Sequence, residues 1–212
     1  MSRRLLVLVA ALAAVGAALV LVAVVGHRPL AYVTRDPQAT TFQRWFLGFF
    51  SNVGSALWWA ATAIATLTAC VALASPVRRH DDAAWCFVAV AGLSAVLGAD
   101  DMFGVHDSWA HEHGIAEWPF FAAYGALAIV VLWRFRHVVA RTWVTPLAGA
   151  IGLYSFSTLV DWMSGHSTSD LRYLGEDGLK LLGIVCWLAW VAHSAFRALS
   201  VADGDRVPLP YD

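Results

Sequence analysis

The segment FLGFFSNVGSALWWAATAIATLTACVALA, residues 46–74, carries no charged side chain from Phe46 to Ala74. A helix of about 20 such residues, rising 1.5 Å at each, crosses the ~30 Å hydrocarbon layer of a bilayer. Stretches of the same character recur on both sides of it, at about 5–25, 83–103, 118–135, 143–163 and 178–199. The pattern predicts an all-α fold, a polytopic transmembrane helical bundle of about six helices. Residues 1–200 form a single domain in this reading, and the polar stretch 201–212, with Pro208 and Pro210, forms a flexible C-terminal tail.

Composition agrees. The chain has 212 residues, 59% hydrophobic and only 14% charged, where an ordinary soluble domain carries about 25% charged residues. So much apolar surface exceeds what one water-soluble core can hide, and membrane lipids are the expected partners. A net charge of −1 gives no clustered basic patch of the kind a nucleic acid requires. Cys70, Cys86 and Cys186 all sit in apolar runs, without the spacing of a zinc site or a disulfide framework. The 11 Trp residues suit a protein whose indoles settle at the membrane interface.

The first run, Leu5 to Val25 behind Arg3 and Arg4, competes with a signal-peptide reading. A signal peptide has an apolar core of only about 7–15 residues; this run is longer and has no clear Ala-x-Ala site before His27. A retained helix is expected. Arginine placement sets the orientation. With the N-terminus cytoplasmic, the inside holds Arg3, Arg4, Arg78, Arg79, Arg134, Arg136, Arg141, Arg197 and Arg206, and the outside holds Arg28, Arg35, Arg44 and Arg172. Nine against four predicts that both termini are cytoplasmic.

That map gathers the acids and histidines at the outer face. The loop after the third span carries Asp100, Asp101, His106, Asp107, His111, Glu112, His113 and Glu117. The loop between the last two spans carries Asp161, His166, Asp170, Glu176 and Asp177. Ionisable groups at span ends are costly unless they pair, face the bundle interior or bind something. Asp101, His106, Asp161 and Glu176 are the candidate metal ligands, a set of carboxylates and imidazole that suits zinc, iron or manganese better than calcium. Asp100 and Asp177 are candidate catalytic proton carriers.

Supporting roles fall to Ser51, Asn52, Asp107, His111 and Lys180. If the third helix continues past Phe103, Asp100, Asp107 and His111 lie on one stripe, with Asp107 and His111 one turn apart. Lys180 is one turn beyond Glu176 and can form a local ion pair with it. Ser51 and Asn52 lie level with the acids, while Gly54 and Ser55 read as packing positions that let helices approach closely.

Asp-Asp-Met-Phe-Gly-Val-His-Asp at 100–107 together with Glu-Asp-Gly-Leu-Lys-Leu-Leu-Gly-Ile at 176–184 resembles a set of uncharacterised bacterial polytopic membrane proteins. The resemblance covers the second to sixth spans, implies a multi-pass protein of the bacterial plasma (inner) membrane, and brings no established activity. A more distant similarity is to the alkaline-ceramidase-like membrane hydrolases, which hold zinc near one membrane face with histidines, assisted by Ser and Asp. Ser51 or Ser55, Asp101 and His106 match those ingredients. Those hydrolases have seven helices and a His-x-x-x-His pair on the last, whereas the last helix here offers Glu176, Asp177 and Lys180.

Three functions are expected on these grounds. The first is a metal-dependent, hydrolase-like intramembrane enzyme acting on a lipid or other apolar substrate, with a divalent metal as cofactor. The second is a non-catalytic accessory or assembly subunit with protein partners in a larger membrane complex. The third, a small proton-coupled transporter, lacks a line of ionisable residues through the inner half of the bundle and any inverted repeat.

Overall fold

The computed structural model describes residues 17, 49–75, 81–164 and 170–200; the predicted first span at 5–25 and the tail at 201–212 lie outside the described residues. The chain divides into two compact units, Met1–Phe49 and Phe50–Asp212, and the helical bundle belongs to the second. Among the described residues there are seven α-helices and no strand: α1 (Phe49–Ala74), α2 (Asp82–Phe103), α3 (Ala110–Glu112), α4 (Trp118–Arg134), α5 (Arg136–Val139), α6 (Val144–Ser164) and α7 (Asp170–Ser200). A π-helical turn, Val105–Trp109, separates α2 from α3. Among the described residues, three helices are long and apolar enough to cross a membrane: α1, α2 and the Asp177–Ser200 part of α7.

The helix ends reflect local chemistry. Asp81 caps α2 with its backbone extended at φ −78° and ψ 133°, and its carboxylate accepts from the Ala83 N–H at 3.2 Å. Asp82 adds a negative charge to the first turn, where the helix dipole favours it. Pro119 occupies the first turn of α4, where its missing N–H costs nothing. The other end of α2 is closed by Gly104 at φ 57° and ψ 45°, a left-handed conformation that glycine adopts without penalty; its N–H returns to the Asp100 carbonyl.

Two expectations are corrected by the helix ends. The third helix ends at Phe103, where the third span was expected to end, and the left-handed Gly104 and the π turn redirect the chain beyond it; Asp100, Asp107 and His111 therefore share no straight stripe. The apolar part of the last helix, Asp177–Ser200, agrees with the expected span, but the helix itself starts at Asp170, so Glu176 and Asp177 lie inside it rather than opening it. Hydropathy marks only where a helix turns apolar, whereas Leu171 to Lys180 contains no proline to stop a helix from starting earlier.

The buried core is built mainly by α1, α2 and α7. Trp58, Ala61, Ala65 and Ala69 form one face of α1, and Cys86, Phe87, Val90 and Leu93 belong to α2. Ile184, Trp187, Trp190, Val191 and Ala195 are the contribution of α7. The spacing of three to four residues along α1 is the helical repeat that keeps one stripe inward, and its alanines let the neighbouring backbones close in. Gly98 of α2 permits a close approach: a Cβ there would lie 2.8 Å from Trp58 Cβ. One interior hydrogen bond ties α2 to α7, from Trp187 Nε1 to Ser94 Oγ at 2.9 Å, with both residues buried. Leu67, Ile129, Val130, Leu182 and Phe196 face outward. The bundle thus shows large apolar side chains on both its inner and outer surfaces.

Candidate functional site

The turn made by Gly104 folds His106 back over the last turn of α2. The first N–H groups of a helical segment have no partner within it, and here the Asp100 carboxylate supplies one: Oδ1 accepts from the His106 backbone N–H at 3.1 Å. Oδ2 meets His106 Nδ1 at 2.5 Å. The same Oδ1 accepts from the Tyr124 hydroxyl of α4 at 2.7 Å. Asp100 and His106 are each 7% exposed, so the carboxylate replaces lost hydration with three donors. Phe121, one turn before Tyr124, packs its ring against the imidazole with centroids 5.0 Å apart and planes inclined by 58°.

Asp101 belongs to a different network. Successive residues on a helix point about 100° apart, and where Asp100 turns toward α4, Asp101 turns toward α1 and α7. It forms an ion pair with Lys180 Nζ, and its Oδ2 receives a long 3.5 Å hydrogen bond from Ser55 Oγ. Gly54 makes the room: a Cβ there would stand 3.2 Å from Asp101 Oδ2 and 3.2 Å from Ile184 Cδ1. Beside the pair lies a cleft of about 40 Å³ between Ser51, Gly54, Asp101, Asp177, Lys180 and Leu181, space for a water molecule with polar partners on its wall.

The structure therefore brings Asp100 together with His106, and Asp101 together with Lys180, Ser55 and, across the cleft, Asp177 and Ser51. Asn52 is exposed on α1 and His111 is exposed on α3. The side chains of Asp107, Asp161 and Glu176 lie outside the described residues, as does His166. Among the described residues, no three of His, Cys, Asp and Glu are grouped to hold a metal ion. Lys180 pairs with Asp101 across the helices, and the expected local pair with Glu176 lies outside the described residues. Ser55, read from sequence as a packing position, is a donor to the site.

Tyr124 and Phe121 escaped the sequence reading altogether. They sit in an apolar helix that carries no acid or histidine of its own, and only their phase on α4 aims them at Asp100 and His106. Chemically, a neutral imidazole whose Nδ1–H donates to a carboxylate presents its lone pair at Nε2. That is the tautomer needed to accept a proton or to ligate a divalent ion.

Neither a curated protein nor a solved structure matches the chain. A family model described as "Domain of unknown function (DUF8692)" matches residues 5–194, and the chain belongs to that family.

Proposed function

We propose that this chain is a multi-pass integral membrane protein of about six spans, with both termini cytoplasmic, in a bacterial plasma membrane. Its acidic and histidine cluster at the exoplasmic face is the working centre of a hydrolase-like site for a lipid or other apolar substrate. The observation that carries this reading is the buried Asp100–His106 pair, steadied by Tyr124. A buried carboxylate–imidazole pair is expensive to assemble and defines one tautomer, a condition proton transfer and metal ligation share. A bound zinc, iron or manganese ion would lower the pKa of its water and supply a nucleophile. His106, Asp161 and Glu176 are the candidate ligands carried forward, Asp101 being held by Lys180 instead.

Metal analysis of the purified full-length protein tests this reading. About one equivalent per chain is expected, lost in His106→Ala and reduced in Asp100→Asn. Far less than one equivalent, unchanged by either substitution, removes the metal.

A specific observation favours a second reading, that of a non-catalytic accessory subunit. The Asp101–Lys180–Ser55 contacts join three helices and read as a structural staple. If native purification returns the chain in a larger complex with an empty metal analysis, the accessory role replaces the enzyme.

A further inference from the structure

The opposite end of the bundle carries a second feature of distinct chemistry. Between Asp82 and Asp100 the straight run of α2 rises roughly 27 Å, close to the thickness of a hydrocarbon layer. At the Asp82 end lies the connection from α4 to α6. Its apolar residues turn inward: Phe135 is buried in the core, and Val138 and Val139 pack against it. Its cations turn outward, with Arg134, Arg136 and Arg141 all exposed. Trp133 and Trp143 flank the connection and are exposed as well.

Two of the guanidiniums are held in place. Arg134 lies 4.9 Å from the Phe135 ring centroid and Arg136 lies 5.1 Å from that of Trp133. Arg136 Nη1 also donates to the Trp133 carbonyl at 3.2 Å. Stacking on a ring occupies the face of a guanidinium and leaves its in-plane N–H donors available, the geometry that grips phosphate oxygens. Arg134 spends part of its charge on Asp82, at 3.3 Å. Among the described residues, Arg136 and Arg141 have no carboxylate partner. Two uncompensated cations bracketed by interfacial tryptophans call for negative charge at the depth where phospholipid phosphates lie.

We propose that Arg136 and Arg141, flanked by Trp133 and Trp143, form a binding surface for the headgroups of anionic phospholipids. The surface rests on the membrane-spanning reading above and is independent of His106. Arg134 is the structural member, tied to α2 through Asp82, and the other two engage the lipid.

The test uses the full-length protein in neutral detergent micelles and follows thermal unfolding. Phosphatidylglycerol, phosphatidylcholine or inorganic phosphate is titrated in. Phosphatidylglycerol is expected to raise the melting temperature, with little response to the other two. Arg136→Gln/Arg141→Gln should raise the phosphatidylglycerol concentration for half-maximal stabilisation about tenfold or more, at roughly 1 kcal/mol for each arginine near an anionic surface. Arg136→Lys/Arg141→Lys keeps the charge without the guanidinium fork, should recover part of the loss and guards against a folding defect, and His106→Ala should respond as the wild type does. Equal stabilisation by phosphatidylcholine, an equal response to inorganic phosphate, or an unchanged midpoint in the Gln pair overturns the proposal. Alkaline carbonate extraction separates the two readings, since release of the chain from membranes would end the membrane-spanning reading itself.

Discussion

Asp100 and Asp101 are adjacent in the chain yet serve separate partners. Asp100 is gripped by His106 and by Tyr124 of α4, whereas Asp101 pairs with Lys180 of α7 and receives Ser55 of α1. Two neighbouring carboxylates would repel if they shared a pocket. Divergence on the helix lets each gain its own donors, and it makes the last turn of α2 the junction of the helices that surround it.

The first expectation concerns Asp101 and Lys180. Lys180→Met alone leaves the buried Asp101 carboxylate without its cation, which costs about 3–5 kcal/mol, and Asp101→Asn is expected to cost less because Lys180 is only partly buried. The double substitution removes both charges and is expected to recover a large part of that loss. A double-mutant cycle by thermal unfolding in detergent reads the coupling; additive losses would remove the pair from the fold's support.

Tyr124→Phe deletes one donor to Asp100 while keeping the ring. A loss of about 1–3 kcal/mol is expected, because a buried carboxylate oxygen loses a hydrogen bond. Chemical denaturation in mixed micelles measures it. If His106 carries the activity, this variant should change the pH profile of that activity more than its substrate affinity.

Close approach of α1 and α2 predicts a contrast between two glycines. Gly98→Ala puts a methyl group 2.8 Å from Trp58 Cβ and is expected to cost about 1–3 kcal/mol through overpacking. At Gly92 nothing stands within 4 Å of an added Cβ, so Gly92→Ala should be neutral or gain up to about 1 kcal/mol from helix propensity. Comparing the two melting temperatures decides it.

Trp187→Phe removes the indole N–H that serves Ser94 and should cost about 1–3 kcal/mol by leaving a buried hydroxyl without its donor. Ser94→Ala added to it should cost little more. Thermal unfolding of the single and double variants is the measurement.

The orientation can be read chemically. With Cys70, Cys86 and Cys186 replaced, His111→Cys should react with a membrane-impermeant maleimide in intact cells. Arg141→Cys should react only after permeabilisation. The reverse pattern would turn the topology over.

Much of the architecture was legible in the chain because hydropathy is a local property, carried by each side chain regardless of its neighbours. The run at 46–74 declares a long apolar helix by itself, and paired acids after another such run announce a polar site near its end. The start of α7 was not legible, since helix formation outruns the apolar stretch. Nor were the site's partnerships. Which way Asp100 and Asp101 face depends on the rotational phase of α2 against α1, α4 and α7, set by contacts such as Gly98 on Trp58. Tyr124 and Ser55 enter only through that packing, for nothing in an apolar segment distinguishes a tyrosine or serine that meets a carboxylate from one that does not. Hydropathy sufficed for the long apolar helices among the described residues, because the cost of exposing apolar surface is summed residue by residue. The pairing of their polar groups belongs to the folded bundle, where distance and burial choose each partner.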